Sequence, residues 1–234
     1  MGEFARLSGV IFEPKAAFQD ISTHTRWWPP VAIIVVLSLV FVYTFSQRVG
    51  YERFYRQQME SNSRMQQMDP AAREQTIAMQ VKVAPYFFYA FSILGTAVSA
   101  LIVAGVFLLI FRTLLGAEIS FGQAYAICCY SFVPLIFSSI MGFAVMMLKD
   151  PDQFDLQNAT PSNIGAFLDA TTTSKWLYSL ASSFDVFTLW TLALMATGLS
   201  VAARKISWST AITWVVGVWA LWVLVKVGLA AAFS

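Results

Sequence analysis

The chain has 234 residues, 58% of them hydrophobic and only 12% charged, with a mean hydropathy of +0.64. An ordinary soluble domain carries about 25% charge, and here the apolar excess lies in long runs, which excludes a water-soluble globule. The net charge of +2, without a basic run, excludes an electrostatic nucleic-acid binder.

The first 28 residues carry three acidic groups, and the apolar run begins only after Trp27-Trp28-Pro29-Pro30, so a cleaved signal is not expected. A lipidation motif is not expected either. Pro14 is suited to open a short helix. Leu7, Val10, Ile11, Phe12, Phe18 and Ile21 form an apolar set that suits the membrane surface, with Trp27 and Trp28 at the interface.

Five stretches long enough to cross a hydrocarbon core about 30 Å thick follow. Between Arg26 and Arg48 lie 21 residues without a charge, between Lys82 and Arg112 lie 29, and between Glu118 and Lys149 lie 30. Lys175 to Arg204 encloses 28 with one charge, Asp185, and Lys205 to the end adds 29 with one charge, Lys226. The prediction is an all-α polytopic membrane protein. An N-terminal amphipathic segment (1–28) precedes a five-helix transmembrane bundle (29–234), with spans at about 30–46, 86–111, 123–148, 176–201 and 210–233.

Residues 47–85 form a polar loop with six Arg/Lys, four Asp/Glu and seven Gln, long for a structureless connection. Tyr51, Phe54, Tyr55 and Met59 follow helical spacing, and Asp69-Pro70 reads as an N-cap and first helical position. Two amphipathic helices are predicted here, the second leading into span 2 with a break near Pro85. Span 2 carries small residues at four-residue spacing, Gly95/Ser99 and Ala100/Ala104, which permit close helix packing. Span 3 contains Cys128 and Cys129, read as buried apolar residues, and Pro134, where a kink is predicted. The loop 149–175 holds four Asp and two Lys. Charge counting leaves the orientation open.

Asp185 and Lys226 are the sharpest signal, because a charge at mid-bilayer costs at least about 2.5–3.5 kcal/mol. Spans 4 and 5 are joined by a short turn and should run antiparallel, which places both groups at similar depth. They are predicted to approach each other inside the bundle. One reading is an ion pair that fixes helix register; the other is a titratable or ion-binding pair in a pathway. Tyr125, Tyr130, Ser131, Ser182 and Ser183 are expected to add hydroxyls to the bundle interior. No cofactor or metal is expected. His24 is the single histidine, so a His-Glu-x-x-His zinc motif is impossible. No Gly-x-Ser-x-Gly elbow or phosphate-cradling loop occurs, and an enzyme is not expected.

Several local patterns coincide in order. They are Gly9-Val10-Ile11-Phe12-Glu13-Pro14-Lys15-Ala16-Ala17-Phe18, then Trp27-Trp28-Pro29, then Gly116-Ala117-Glu118-Ile119-Ser120-Phe121. Asp185-Val186-Phe187-Thr188-Leu189-Trp190 and Lys226-Val227-Gly228-Leu229 complete the set. Together they resemble the Yip family, the membrane proteins named for interaction with Ypt/Rab GTPases, and more closely its bacterial branch. The resemblance implies a five-helix bundle in a bacterial plasma membrane, with a cytoplasmic N-terminus and exoplasmic loops at 47–85 and 149–175. It also implies action through interactions rather than catalysis: a scaffold with the lipid bilayer and with a second copy or other membrane proteins as partners. A Rab GTPase is not expected as a partner in a bacterium. The alternative is an ion, lipid or small-solute transporter or channel, in which Asp185, Lys226 and the interior hydroxyls line one wet crevice.

Overall fold

A computed structural model of the chain describes residues 1–60, 65, 67–169 and 172–232. The parts of the predicted loops and of span 5 at 61–64, 66, 170–171 and 233 lie outside the described residues. The protein is an all-α polytopic membrane protein. Among the described residues, four helical stretches are long and apolar enough to cross a membrane: Trp28–Arg48, Pro70–Leu114, Phe121–Leu148 and Trp208–Ala232. A fifth apolar helix, Val186–Ala202, has 17 residues, about 26 Å at 1.5 Å per residue.

The chain starts with two short helices, α1 (Glu3–Phe12) and α2 (Pro14–His24), the second opened by Pro14 at its first position. Gly9 lets them close on each other, since a Cβ there would lie 3.1 Å from the Cβ of Ala17. Half of the apolar set that the sequence assigns to the membrane surface is buried instead. Val10, Phe18 and Ile21 are buried in the main core beside Ile127 and Leu199. Phe4 and Phe12 remain exposed on the outer side of α1.

α3 (Trp28–Arg48) is the first spanning helix. It ends at Gly50, whose φ of +82° is open to glycine and whose amide donates to Phe45 O at 2.9 Å. The turn leads into the amphipathic α4 (Tyr51–Glu60). α5 (Pro70–Leu109) is 40 residues long, and the Asp69 carboxylate caps it by accepting from the amides of Ala71 and Ala72. The predicted break near Pro85 does not occur, because helix continues on both sides of it. Proline removes one amide donor, a loss that a long helix held by neighbours tolerates. Ala100 and Ala104 of α5 are fully buried, so that small-residue pair serves packing inside the bundle against α6.

A π-helical turn, Ile110–Leu114, ends the α5 segment. α6 (Phe121–Ser131) then begins with a capping box between Ser120 and Gln123. Pro134 stands at the first position of α7 (Pro134–Leu148) and separates it from α6. The predicted fourth span, 176–201, is not one helix. It consists of α8 (Lys175–Ala181), an interruption, and α9 (Val186–Ala202). α10 (Trp208–Ala232) packs against both.

The bundle has two ends. At one lie α1, α2, the 115–121 connection and the Arg204-Lys205 turn, with Lys205 3.8 Å from Glu118. At the other, Arg48 donates to the carbonyls of Met146, Met147 and Lys149, and Arg53 pairs with Asp152 at 2.7 Å. A second core of Phe45, Val49, Met146 and Phe154 sits at that end.

Candidate functional site

At the end that carries α1 and α2, Arg6 is only 3% exposed. Its Nε donates to Asp20 Oδ2 at 2.5 Å, and its Nη1 donates to Glu3 Oε1 at 3.1 Å. Arg26 donates to Glu3 Oε1 at 3.1 Å, and the Tyr130 hydroxyl, from α6, donates to Glu3 Oε2 at 3.2 Å. The network therefore ties both short helices to a spanning helix. Burial acts to raise the Asp20 carboxyl, but hydrogen bonds from the Met1 amino group and Arg6 outweigh it and hold the acid below its ordinary range. Glu3 behaves likewise: burial opposes, while hydrogen bonds from Arg26 and Tyr130 and the charge of Arg6 win.

The same face is stapled by packing and a backbone contact. Gln123 Nε2 donates to Ser22 O at 3.0 Å, joining the end of α2 to α6. Phe18 lies against Gly198 of α9, where a Cβ would meet its ring at 2.9 Å. The sequence reading identified Tyr130 but missed Glu3, Arg6 and Asp20. The usable signal was the Glu3/Arg6 spacing, three residues apart on one helix.

At the opposite end a cleft of about 630 Å³ opens between α4, α8, α10 and residues 152–156. Lys226, Lys175, Tyr178 and Ser182 line it, together with Asp152 and Asp155. Asp185 and Lys226 are not joined in an ion pair. Asp185 is the N-cap of α9: it accepts from the Thr188 amide at 2.9 Å and from the Ser162 hydroxyl, while the Val186 amide donates to Ser162 O at 3.0 Å. The break before α9 gives Asp185 free amides to cap, and this use takes the carboxylate that the sequence reading assigned to Lys226. Asp185 holds the 158–168 segment onto the bundle, and Gly165 of that segment lies under Ser182, whose Oγ leaves no room for a Cβ.

The hydroxyls expected in one crevice are divided between places. Tyr130 belongs to the Glu3 network. Tyr125 stacks on Phe121 at 5.9 Å and lies 5.3 Å from Trp27. Ser131 and Ser183 donate to carbonyls one turn back, Ile127 O and Ser179 O. Ser182 alone of the five lines the cleft with Lys226. Between the two ends the bundle is filled by Phe18, Ile127, Leu199 and Val133. Cys128 and Cys129 are free and fully buried in the same layer.

The motifs have structural work in common. Gly9, Pro14 and Phe18 build the α1–α2 hairpin. Gly116, with φ +62°, and Ser120 shape the connection that docks it. Asp185 starts α9, and Lys226 faces the cleft. No curated protein and no solved structure matches the chain. The Yip1 domain family model matches residues 8–230, nearly the whole length, and the chain belongs to the Yip family.

Proposed function

We propose that this Yip-family protein is a non-enzymatic membrane scaffold that presents a fixed helical platform on one face of the bilayer. The observation that carries the reading is the locking of α1 and α2 to the bundle through Arg6, Asp20, Glu3 and Tyr130. A platform so held costs little further ordering when it meets a partner. Phe4 and Phe12 are 86% and 80% exposed on it, placed to seat in the headgroup layer or against another protein. In this reading α9 crosses the membrane as the fourth of five spans, and its 17-residue length is met by local thinning or by the α8 extension. The N-terminus is cytoplasmic, the membrane is a bacterial plasma membrane, and the partners are lipid and further copies or other membrane proteins. A Cβ added at Gly217 or Gly228, both exposed on α10, would meet nothing within 4 Å, which suits close approach of another helix.

Reconstitution into liposomes tests this. Wild-type protein is expected to change vesicle size distribution, and Phe4→Glu with Phe12→Glu to abolish the change, while proton and potassium leak stays at the empty-vesicle level in both. The transporter alternative rests on Lys226 in its cleft. Ion or proton flux above empty vesicles that disappears in Lys226→Met would replace the scaffold reading with that one.

A further inference from the structure

The cleft beside Lys226 is not used by the platform at the other end. Lys226 belongs to an apolar spanning helix, is half-buried, and has no carboxylate within ion-pair distance among the described residues. An ionisable group inside a membrane helix is costly unless it has a partner or a task. Its depth is informative. Trp208 starts α10 and is 48% exposed, a residue type that anchors at the membrane interface. Lys226 lies 18 residues later, about 27 Å along the helix, close to the far boundary of a core about 30 Å thick. That boundary is where lipid phosphates sit.

The cleft's charge and shape agree. Lys175 adds a second ammonium group. Of the two acids on the wall, Asp152 is engaged by Arg53 at 2.7 Å, and Asp155 has an interaction of its own. Trp222, Val225 and Leu229, within one turn of Lys226, are 64%, 47% and 55% exposed. An acyl chain can run along them while its headgroup occupies the cleft. The volume of about 630 Å³ is ample for a phosphodiester headgroup. We propose that the cleft between α4, α8 and α10 binds the phosphate-bearing headgroup of a phospholipid, with Lys226 and Lys175 as its cationic contacts. The site goes beyond the scaffold reading, and a scaffold with an empty cleft is still a scaffold, so failure here touches the cleft alone.

The test is thermal unfolding of the detergent-purified full chain during titration with dioctanoyl phosphatidylglycerol. A rise in Tm that grows with the logarithm of lipid concentration is expected, reaching about 5 °C at large excess; the midpoint is the lipid concentration that gives half of that shift. Lys226→Gln should move the midpoint of the titration at least about tenfold, the loss of one charge-assisted contact, and Lys226→Arg should restore it to within about threefold. If Lys226→Gln does not fold, Lys175→Gln carries the same comparison. Dioctanoylglycerol and inorganic phosphate should leave Tm unchanged. A midpoint indifferent to both lysine substitutions, or no concentration-dependent shift in wild type, overturns the site. An equal shift with dioctanoylglycerol overturns headgroup recognition. An equal midpoint with inorganic phosphate overturns the lipid and leaves a free-anion site.

Discussion

Gly198→Ala should destabilise the protein although alanine is the better helix former. Gly198 is in the interior of α9, where Gly→Ala normally gains about 0.5–1 kcal/mol. A Cβ at this position would lie 2.5 Å from Ile127 Cγ2 and 2.9 and 3.0 Å from two ring atoms of Phe18. Carbon atoms in contact prefer about 3.5–4.0 Å, so each contact is short by roughly half to one ångström. Neither neighbour yields easily: Ile127 is β-branched on α6, Phe18 is fully buried, and both belong to the main core. Overpacking of this kind costs about 1–3 kcal/mol, so the net loss should be about 0.5–2 kcal/mol once the propensity gain is subtracted. Gly217→Ala is the control, because nothing lies within 4 Å of a Cβ there. It should be neutral or stabilising by up to about 1 kcal/mol. Thermal unfolding in one detergent reads both. If Gly198→Ala melts at or above wild type while Gly217→Ala behaves the same way, α2 does not sit on α9 as described.

Arg6→Met should cost about 2–3 kcal/mol, somewhat less than the 3–5 typical of a broken fully buried pair, since the Asp20 side chain keeps 16% exposure; its Tm in detergent reads this. Asp185→Asn and Lys226→Met should change stability independently, their sum matching the double variant within about 0.5 kcal/mol; strong coupling in that cycle would restore the ion pair. Asp185→Ala should lose about 0.5–2 kcal/mol, as for other lost N-caps, with Asp185→Asn keeping most of it. Stability should also fall in acid. Asp20 and Glu3 have folded-state pKa values below their ordinary 3.8 and 4.5, so their contribution is fully present above those values. It is lost as pH falls from about 5 through the lower folded values. A Tm against pH that is flat from 6 down to 3, or one whose acid loss is unchanged in a Glu3→Gln, Asp20→Asn double variant, would exclude the network as its source.

Four of the five predicted spans were legible because bilayer thickness imposes a length on apolar runs, and stretches of 21 to 30 residues with at most one charge leave few alternatives. Asp69-Pro70 was legible as a cap because capping is local chemistry, and the Ser120–Gln123 capping box, which the sequence analysis does not name, has the same kind of local signal. What covers an amphipathic face is not local. Phe18 and Ile21 have the same spacing whether lipid or Ile127 lies against them, so the burial of α2 was hidden. Arg6 meets Asp20 across 14 residues, and Glu3 meets Tyr130 across 127, separations at which no spacing rule operates. Asp185 misled because an acid within a long apolar run was read as a buried mid-helix charge. An acid immediately before a helical segment is equally an N-cap, and the interruption after Ala181 makes it one. With its carboxylate on the Thr188 amide and the Ser162 hydroxyl, Asp185 is not available to Lys226.

Amide hydrogen exchange of the full chain in nanodiscs tests the fixed platform most directly. If α1 and α2 are held by Arg6 and by Phe18 on Gly198, amides of residues 15–23 should exchange about as slowly as those of α9, and Arg6→Met should release them while leaving α9 protected. Exchange of the wild-type α2 amides within seconds, as for a peptide lying loosely on a membrane surface, would contradict the account.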